Sequence, residues 1–273
     1  NRTCGRIIPP ADAVRIGMAL YKLILAYDGT SFSGFQRQGK TRTVQGVFEE
    51  ALRELGWQEK AILFAGRTDA GVHASGQVVS FGFDWQHSSA SLASALNARL
   101  PDDVSAVTLE ETEAEFHPRY DASSRRYHYT IYHHLTRLPI KERYAWRIWP
   151  ELNGEHLNTA ASVFIGRHDF SAFGRAMKKG NSTIREVFAS QWHKEPQGWR
   201  YEIEANAFLY HMVRRLVFVQ VGYAKGSLSL EELQAGLEEQ KLIKPGLAPA
   251  QGLELTQVRY DGKTNRVTED EKN

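Results

Sequence analysis

The sequence contains little cysteine and no long apolar run. Cys4 is the only cysteine among 273 residues, which excludes an intrachain disulfide and a metal site built from several cysteines. No segment has the roughly 20 consecutive apolar residues that cross a bilayer. These absences predict a protein of a reducing compartment, the cytoplasm, without a membrane-spanning segment.

The sequence also lacks a strong charge of either sign. It has 34 Lys and Arg against 32 Asp and Glu, a net charge of +2, so bulk charge does not by itself indicate a nucleic-acid partner. The charges are nevertheless clustered. Basic pairs stand at Arg125-Arg126, Lys178-Lys179 and Arg214-Arg215, and acids concentrate in residues 110–115, 231–239 and 269–272. Any single basic pair is most often a solvated surface.

Cofactor and metal motifs are missing as well. The sequence has no GxxxxGK[ST] or GxGxxG run for a nucleotide and no HExxH or CxxC array for a metal. His73, His117, His168 and His211 do not have ligand spacing. We therefore expect neither a cofactor nor a metal.

The periodicity predicts an α+β fold in two strand-rich halves with helices on one face and a cleft between them. We assign residues 1–18 to a loose leader without the form of a secretory signal, 19–122 to an N-terminal half, 123–262 to a C-terminal half and 263–273 to a polar tail. Strands are predicted at 20–27, 61–65, 77–83, 104–109, 126–132, 184–193, 198–204 and 254–260, and helices at 43–55, 88–98, 154–164, 210–222 and 230–240.

The most informative segment is residues 64–81, FAGRTDAGVHASGQVVSF. It places Asp69 on a loop between two predicted strands, and its glycines permit positive φ or close approach of a planar substrate. A carboxylate can act as a nucleophile on an electrophilic carbon. Taken alone, however, an RTDAG run is more often a turn with a structural pair between Arg67 and Asp69.

Two further segments supply partners for Asp69. In LYHMVRRLV, Arg214 and Arg215 follow each other on an apolar helix, so at most one can readily point inward. We predict that Arg214 pairs with Asp69 and that Arg215 faces solvent or RNA phosphate, although both could coat a surface. In SRRYHYTIY, alternation puts Tyr127 and Tyr129 on one face of a strand, where Tyr127 can stack on a base and Tyr129 belongs to the core.

Together with further motifs, these segments resemble the tRNA pseudouridine synthase family that modifies the anticodon arm. The resemblance covers about residues 20–260 and rests on several motifs in order. They are YDGTSFSGFQRQ at 27–38, FAGRTDAGVHASGQVVSF at 64–81, FHPRYDASSRRYHYTIY at 116–132, GRHDFSAF at 166–173, FLYHMVRRLV at 208–217 and GLELTQVRY at 252–260.

The resemblance implies a pseudouridine synthase fold, with a mixed, mostly antiparallel sheet, flanking helices and a central cleft. It implies that Asp69 is the nucleophile, Arg67 a residue inserted near the flipped nucleotide, Tyr127 a ring on the target uracil, Arg214 the partner of Asp69 and Leu253 a wall of the uracil pocket. Arg126 and Arg215 are expected to contact the substrate. It also implies a homodimer that isomerises uridines 38, 39 and 40 of tRNA, without cofactor or metal.

Departures and alternatives accompany this interpretation. The family commonly has Trp at the position of Phe35 and Gly at that of Phe218. Because Phe218 replaces a small residue in the helix that carries Arg214, the packing and register of that helix could differ from the family's. One alternative is the same chemistry on another RNA. The other is a non-catalytic RNA-binding protein, which the joint presence of Asp69, Arg67, Tyr127 and Arg214 disfavours. Attack at C1′, attack at C6 and a glycal route remain open.

Overall fold

The computed structural model describes residues 18–178, 180–241 and 245–261. The expected leader, apart from Met18, and the polar tail lie outside the described residues, as do Cys4 and Lys179. No helix of the described ranges is long and apolar enough to cross a membrane.

The described elements are ten strands, six helices and two 3₁₀ turns. The strands are β1 (Ala19–Tyr27), β2 (Leu63–Phe64), β3 (His73–Phe83), β4 (Val104–Thr112), β5 (Ser124–His133), β6 (Trp146–Ile148), β7 (Gly166–Asp169), β8 (Ile184–Glu195), β9 (Gly198–Ala205) and β10 (Leu253–Arg259). The helices are α1 (Val44–Glu54), α2 (Ser89–Asn97), α3 (Pro139–Glu142), α4 (Gly154–Ser162), α5 (Met212–Ala224) and α6 (Leu230–Glu238), with 3₁₀ turns at Gly29–Ser31 and Ala250–Gly252.

One continuous sheet runs through the molecule in the order β4-β1-β3-β10-β5-β9-β8-β7. Its pairs are antiparallel except for β10 with β3 and for β6, which pairs with β5 at the side. This confirms the predicted α+β class and the mixed, mostly antiparallel sheet. Because β10 inserts between β3 and β5, it joins the strands of the two predicted halves. The boundaries of those halves stay a prediction.

Alternation places the core on the helix-bearing face. Along β5, Arg125, Tyr127, Tyr129 and Ile131 are buried while the residues between them are half-buried, which is the period of two expected for a strand with one covered face. On the same face, α1 packs Phe48 against Phe81 of β3 with ring centroids 5.7 Å apart.

Two strand boundaries differ from the prediction. The buried strand expected at 61–65 is only β2, with Leu63 44% exposed, because the Ile62 amide donates to the Glu49 carboxylate (3.2 Å) instead of to a strand. Conversely, β3 starts at His73 rather than at residue 77. Its early residues gain partners in β10 and β1, where His73 pairs with Glu254 and Ala74 with Tyr27.

Candidate active site

The loop between β2 and β3 holds Asp69 in a fixed position. On its N-terminal side, the Phe35 amide donates to the Thr68 carbonyl (3.1 Å), and the Thr68 hydroxyl lies 2.7 Å from the hydroxyl of Tyr27. On its C-terminal side, the Val72 amide donates to the Asp69 carbonyl (3.2 Å). The residues around Asp69 are thus tied to the core, and its side chain remains 21% exposed.

Arg214 lies on this carboxylate. Its Nη1 donates to Asp69 Oδ2 at 2.9 Å, and its Nε donates to the Ala248 carbonyl at 2.8 Å. The Arg214 side chain is only 15% exposed. The predicted pairing of Arg214 with Asp69 is confirmed, and the helix register that Phe218 put in question is the expected one.

Arg215 contradicts the prediction that it faces solvent or RNA phosphate. The residue is 8% exposed, and its Nη1 donates to the Gly246 carbonyl at 2.8 Å. Burial lowers the pKa of its guanidinium. The prediction failed because residues 245–249 cover this side of α5, which the helical pattern alone treats as open.

His211 is a neighbour of Asp69 that sequence reasoning missed. Its Nε2 is 3.3 Å from Asp69 Oδ2, and its backbone is left-handed at φ 66° immediately before α5. Burial lowers the pKa of His211, as do the charges of Arg214 and Arg175, while Asp69 raises it. The lone histidine in HMVRRL gave only a weak signal, because it belongs to no ligand array and nothing in the local pattern places it beside Asp69.

Tyr127 and Leu253 line the pocket that contains Asp69. The Tyr127 ring meets Phe208 edge to face, with centroids 5.1 Å apart. Burial raises the pKa of Tyr127 to about 12, against the charge of Arg125, and Asp69 raises it further, so the phenol is neutral near pH 7. As predicted, Tyr129 is a core residue, fully buried, with its hydroxyl donating to the Pro249 carbonyl (2.8 Å).

The two other predicted substrate residues occupy different surroundings. Arg67 is exposed at the pocket wall and forms no hydrogen bond or ion pair with the rest of the described chain. Arg126 does not line the pocket: its Nη2 donates to Glu204 at 2.6 Å, on the opposite face of β5 from Tyr127. Arg125 takes the position beside Tyr127 instead, as the alternation of the strand requires.

The pocket has a volume of about 180 Å³, which is below the range of roughly 300 to 1,000 Å³ for drug-sized ligands. One planar base fits such a space better than a whole nucleotide does. In the described ranges, no group of three or more His, Cys, Asp or Glu residues is placed to hold a metal ion. The arrangement is a carboxylate oriented by a guanidinium beside an aromatic ring.

Comparison with known proteins identifies the family. The family model described as tRNA pseudouridine synthase matches residues 23–121 and 160–261. The chain is 38% identical to tRNA pseudouridine synthase A of Thermoanaerobacter sp. (strain X514) over 87% of its own length and 98% of that protein. It is 35% identical to the protein of that name from Acetivibrio thermocellus, over 88% and 98%, and 37% identical to that from Pseudothermotoga lettingae, over 89% and 100%.

The chain belongs to the tRNA pseudouridine synthase family.

The members of this family are isomerases. The match confirms the resemblance that the sequence motifs indicated. The matched segments of the tRNA pseudouridine synthase model contain Asp69, Arg214 and Leu253, whereas Tyr127 falls between them. Tyr127 joins the pocket because β5 pairs with β10, which brings Tyr127 opposite Leu255.

Proposed function

We propose that this chain isomerises uridine to pseudouridine at positions 38, 39 and 40 in the anticodon stem-loop of tRNA, with Asp69 as the nucleophile. One observation carries the proposal: Arg214 holds the Asp69 carboxylate at 2.9 Å in a pocket of about 180 Å³ that Tyr127 and Leu253 also line. The relatives named tRNA pseudouridine synthase A support the substrate class.

In this proposal the target uridine leaves its stack and enters the pocket, as enzymes that act on bases require. Arg67 occupies the space near the extruded nucleotide, Tyr127 stacks on the uracil, and Leu253 forms an apolar wall. Arg214 orients the carboxylate. All four side chains line the pocket, which supports these roles.

The reaction is balanced without a cofactor. The bond from N1 to C1′ breaks, the uracil turns, and a bond from C5 to C1′ forms, while C5 loses a proton and N1 gains one. Attack of Asp69 on C1′, its addition to C6 and a glycal route, in which it takes a proton from the sugar, all use the ionised carboxylate. Arg214 compensates that charge in each case.

The proposal includes a homodimer in the cytoplasm, an inference from the family resemblance. Sedimentation equilibrium of the purified chain tests the dimer, and a mass of one chain at micromolar concentration contradicts it.

Replacement of Asp69 tests the proposed nucleophile. Asp69→Asn and Asp69→Ala are expected to form no pseudouridine, because neither side chain can act as the carboxylate. Affinity for tRNA should stay within about tenfold, since phosphate contacts supply most of the binding energy. The measurements are position-by-position mapping of pseudouridine and a binding titration.

Asp84→Asn is the matched control, because Asp84 is an exposed acid outside the pocket; it should retain activity. Substantial turnover by Asp69→Ala would remove the nucleophile from the proposal. Product at other positions would favour another RNA target, and absence of product with the unmodified chain would favour an RNA-binding protein.

A further inference from the structure

Three arginines on the wall of the Asp69 pocket lack an acidic partner in the part of the chain that the structure describes. Arg119, Arg125 and Arg185 all line the pocket. Within the described ranges none of them forms an ion pair with a carboxylate, although ion pairs are common elsewhere in the chain. Arg119 and Arg125 lie six residues apart in one segment and Arg185 lies on β8, so the fold brings two separate segments together at this wall.

Arg125 is the buried member of this cluster. It is 9% exposed, and its guanidinium donates only to backbone carbonyls, those of Ala65 (3.3 Å), Arg119 (2.5 Å), Ala122 (3.2 Å) and Asn206 (2.9 Å). Carbonyl groups satisfy its donors but do not neutralise its charge. A cation removed from water without a counter-ion is costly, so this charge attracts an anion.

Arg185 and Arg119 extend the charge toward solvent. Arg185 is half-buried: Nη1 donates to the carbonyls of Ser182 (3.0 Å) and Ile184 (2.6 Å), while its Nε is buried without a hydrogen-bond partner. Arg119 is exposed. The charge of Arg119 lowers the pKa of both Arg125 and Arg185, in each case after the larger effect of burial.

Arg125 has a structural role of its own, because its hydrogen bonds tie the Asp69 loop to the chain before β5 and after β9. That role does not explain why two more arginines gather next to it. Three like charges repel one another, so the cluster is unfavourable until an anion joins it. An anion at the wall of a base-sized pocket is most simply the phosphodiester of the nucleotide whose base enters.

We propose that Arg119, Arg125 and Arg185 form a site for one RNA backbone phosphate next to the uridine that enters the pocket. Arg119 and Arg185 contact the phosphate oxygens, and the buried Arg125 adds positive charge without touching the phosphate. The inference rests on the proposed function. It replaces the expected substrate contact of Arg126 and the expected phosphate contact of Arg215, because the structure places both arginines elsewhere.

A thermodynamic cycle between protein and RNA tests this site. Full-length tRNA is assembled with one neutral methylphosphonate at each successive backbone position around the target uridine. Its affinity is measured for the unmodified chain, Arg185→Ala and Arg119→Ala at fixed salt. One position adjacent to the uridine should weaken binding to the unmodified chain about tenfold and binding to either variant only about threefold, because one of the charges that meets the phosphate is already gone.

Arg185→Lys keeps a positive charge and should retain most of the coupling, which separates loss of charge from a folding defect. Arg137→Ala is the matched control: this exposed arginine does not line the pocket and should show the full tenfold effect. Equal methylphosphonate effects in the unmodified chain and both alanine variants at every position would overturn the site.

The cycle measures binding alone, so it separates this inference from the proposed chemistry. Coupling at one position without any pseudouridine formation supports the phosphate site and removes the isomerase proposal. Pseudouridine formation without coupling at any position does the reverse.

Discussion

At the scale of single residues, charge is distributed unequally around Asp69. Of the described residues that line the pocket, Asp69 is the only acid, and five arginines share that wall with it: Arg67, Arg119, Arg125, Arg185 and Arg214. Such a field compensates one carboxylate and leaves an excess of positive charge that favours a further anion. The net charge of +2 therefore hides a local excess of positive charge.

Arg214 and Arg215 are expected to differ sharply when replaced. Arg214→Ala removes the partner of Asp69 and should lower the single-turnover rate of pseudouridine formation about 100-fold or more, the effect of losing an oriented charged donor in an active site. Arg214→Lys should be intermediate, because an ammonium cannot reproduce the fork that holds Asp69 and Ala248 together.

Arg215→Ala provides the contrast. It removes a buried guanidinium from Gly246 and should cost about 1 to 3 kcal/mol in the free energy of unfolding measured with urea. The folded fraction should keep its rate and the salt dependence of its tRNA affinity. A rate loss for Arg215→Ala as large as that for Arg214→Ala would contradict these assignments.

Tyr127 should act through its ring. Tyr127→Phe keeps the aromatic surface and should stay within a few-fold of the unmodified kcat/KM. Tyr127→Leu loses stacking of about 1 to 3 kcal/mol per base, which corresponds to roughly 5- to 150-fold. Equal kcat/KM values for Phe and Leu at this position would rule out a role for the ring.

Prediction from sequence succeeded for residues whose surroundings follow from local periodicity. The shared face of Tyr127 and Tyr129 is of this kind, whereas the pairing of Arg214 with Asp69 was implied by the family resemblance. The same alternation places Arg125 beside Tyr127, a signal that was present but assigned to Arg126. The prediction that Arg215 faces solvent was wrong because residues 245–249, about 30 positions away, bury its side chain. Local periodicity contains no information about contacts with such a distant segment.

At the scale of elements, residues 245–249 determine the position of the arginines on α5. The Ala248 amide donates to the Arg214 carbonyl (3.1 Å), and the carbonyls of Ala248 and Gly246 accept from Arg214 and Arg215. The Pro249 carbonyl accepts from Tyr129. This segment therefore connects α5 to β5 immediately before the turn that leads to Leu253.

Phe218 explains why Gly246 belongs in this segment. A Cβ built on Gly246 would lie 2.2 Å from the Phe218 ring, and its φ of 152° is one that other residues rarely adopt. The Phe218 ring thus packs against the backbone at Gly246. The chain accommodates the large Phe218 side chain by having a glycine, Gly246, opposite its ring.

Gly246→Ala is therefore expected to destabilise the fold and the site together. The clash with Phe218 adds to backbone strain of about 1 to 3 kcal/mol, so the urea midpoint and the rate should both fall. Gly56→Ala is the matched control, because Gly56 also has a positive φ of 100° but has open space where a Cβ would go.

Phe218→Ala in the Gly246→Ala background should recover part of the stability by removing the clash. Equal losses for Gly246→Ala and Gly56→Ala, without recovery in the double variant, would show that Phe218 is not the cause.

Most helices and strands were predictable because their periodicity is local, and α1 and the hairpin of β8 and β9 agree closely with it. The pairing order of the sheet was not. The parallel insertion of β10 next to β3 joins residues about 180 positions apart, and strand periodicity describes a face without naming a neighbour.

At the scale of the whole molecule, the two predicted halves share more than β10. Asp28, at the end of β1, accepts from Arg143 Nη2 (2.8 Å) and from the Tyr144 hydroxyl (2.9 Å). These contacts join the first strand to the segment after α3 across more than 110 residues, a pairing that sequence patterns do not specify. They lie outside the Asp69 pocket, so their contribution to stability can be tested without altering the site.

Asp28 should make stability depend on acid pH. Burial raises the pKa of Asp28, but the hydrogen bonds from Thr30, Tyr144 and Arg143 outweigh burial and hold that pKa well below its ordinary value. A carboxylate whose pKa is depressed in the folded state contributes stability that is complete above the pKa of the unfolded chain, near 4, and is lost as pH falls toward the folded pKa.

Asp28→Asn should therefore lower the free energy of unfolding at pH 7 by about 1.5 to 3 kcal/mol, and the difference from the unmodified chain should narrow below pH 4. Urea unfolding at pH 7, 5, 4 and 3 measures this, with the exposed neighbour Asp102→Asn as a control that shows little difference at any pH. A gap for Asp28→Asn that stays constant from pH 7 to pH 3 would mean that the carboxylate charge does not hold this junction together.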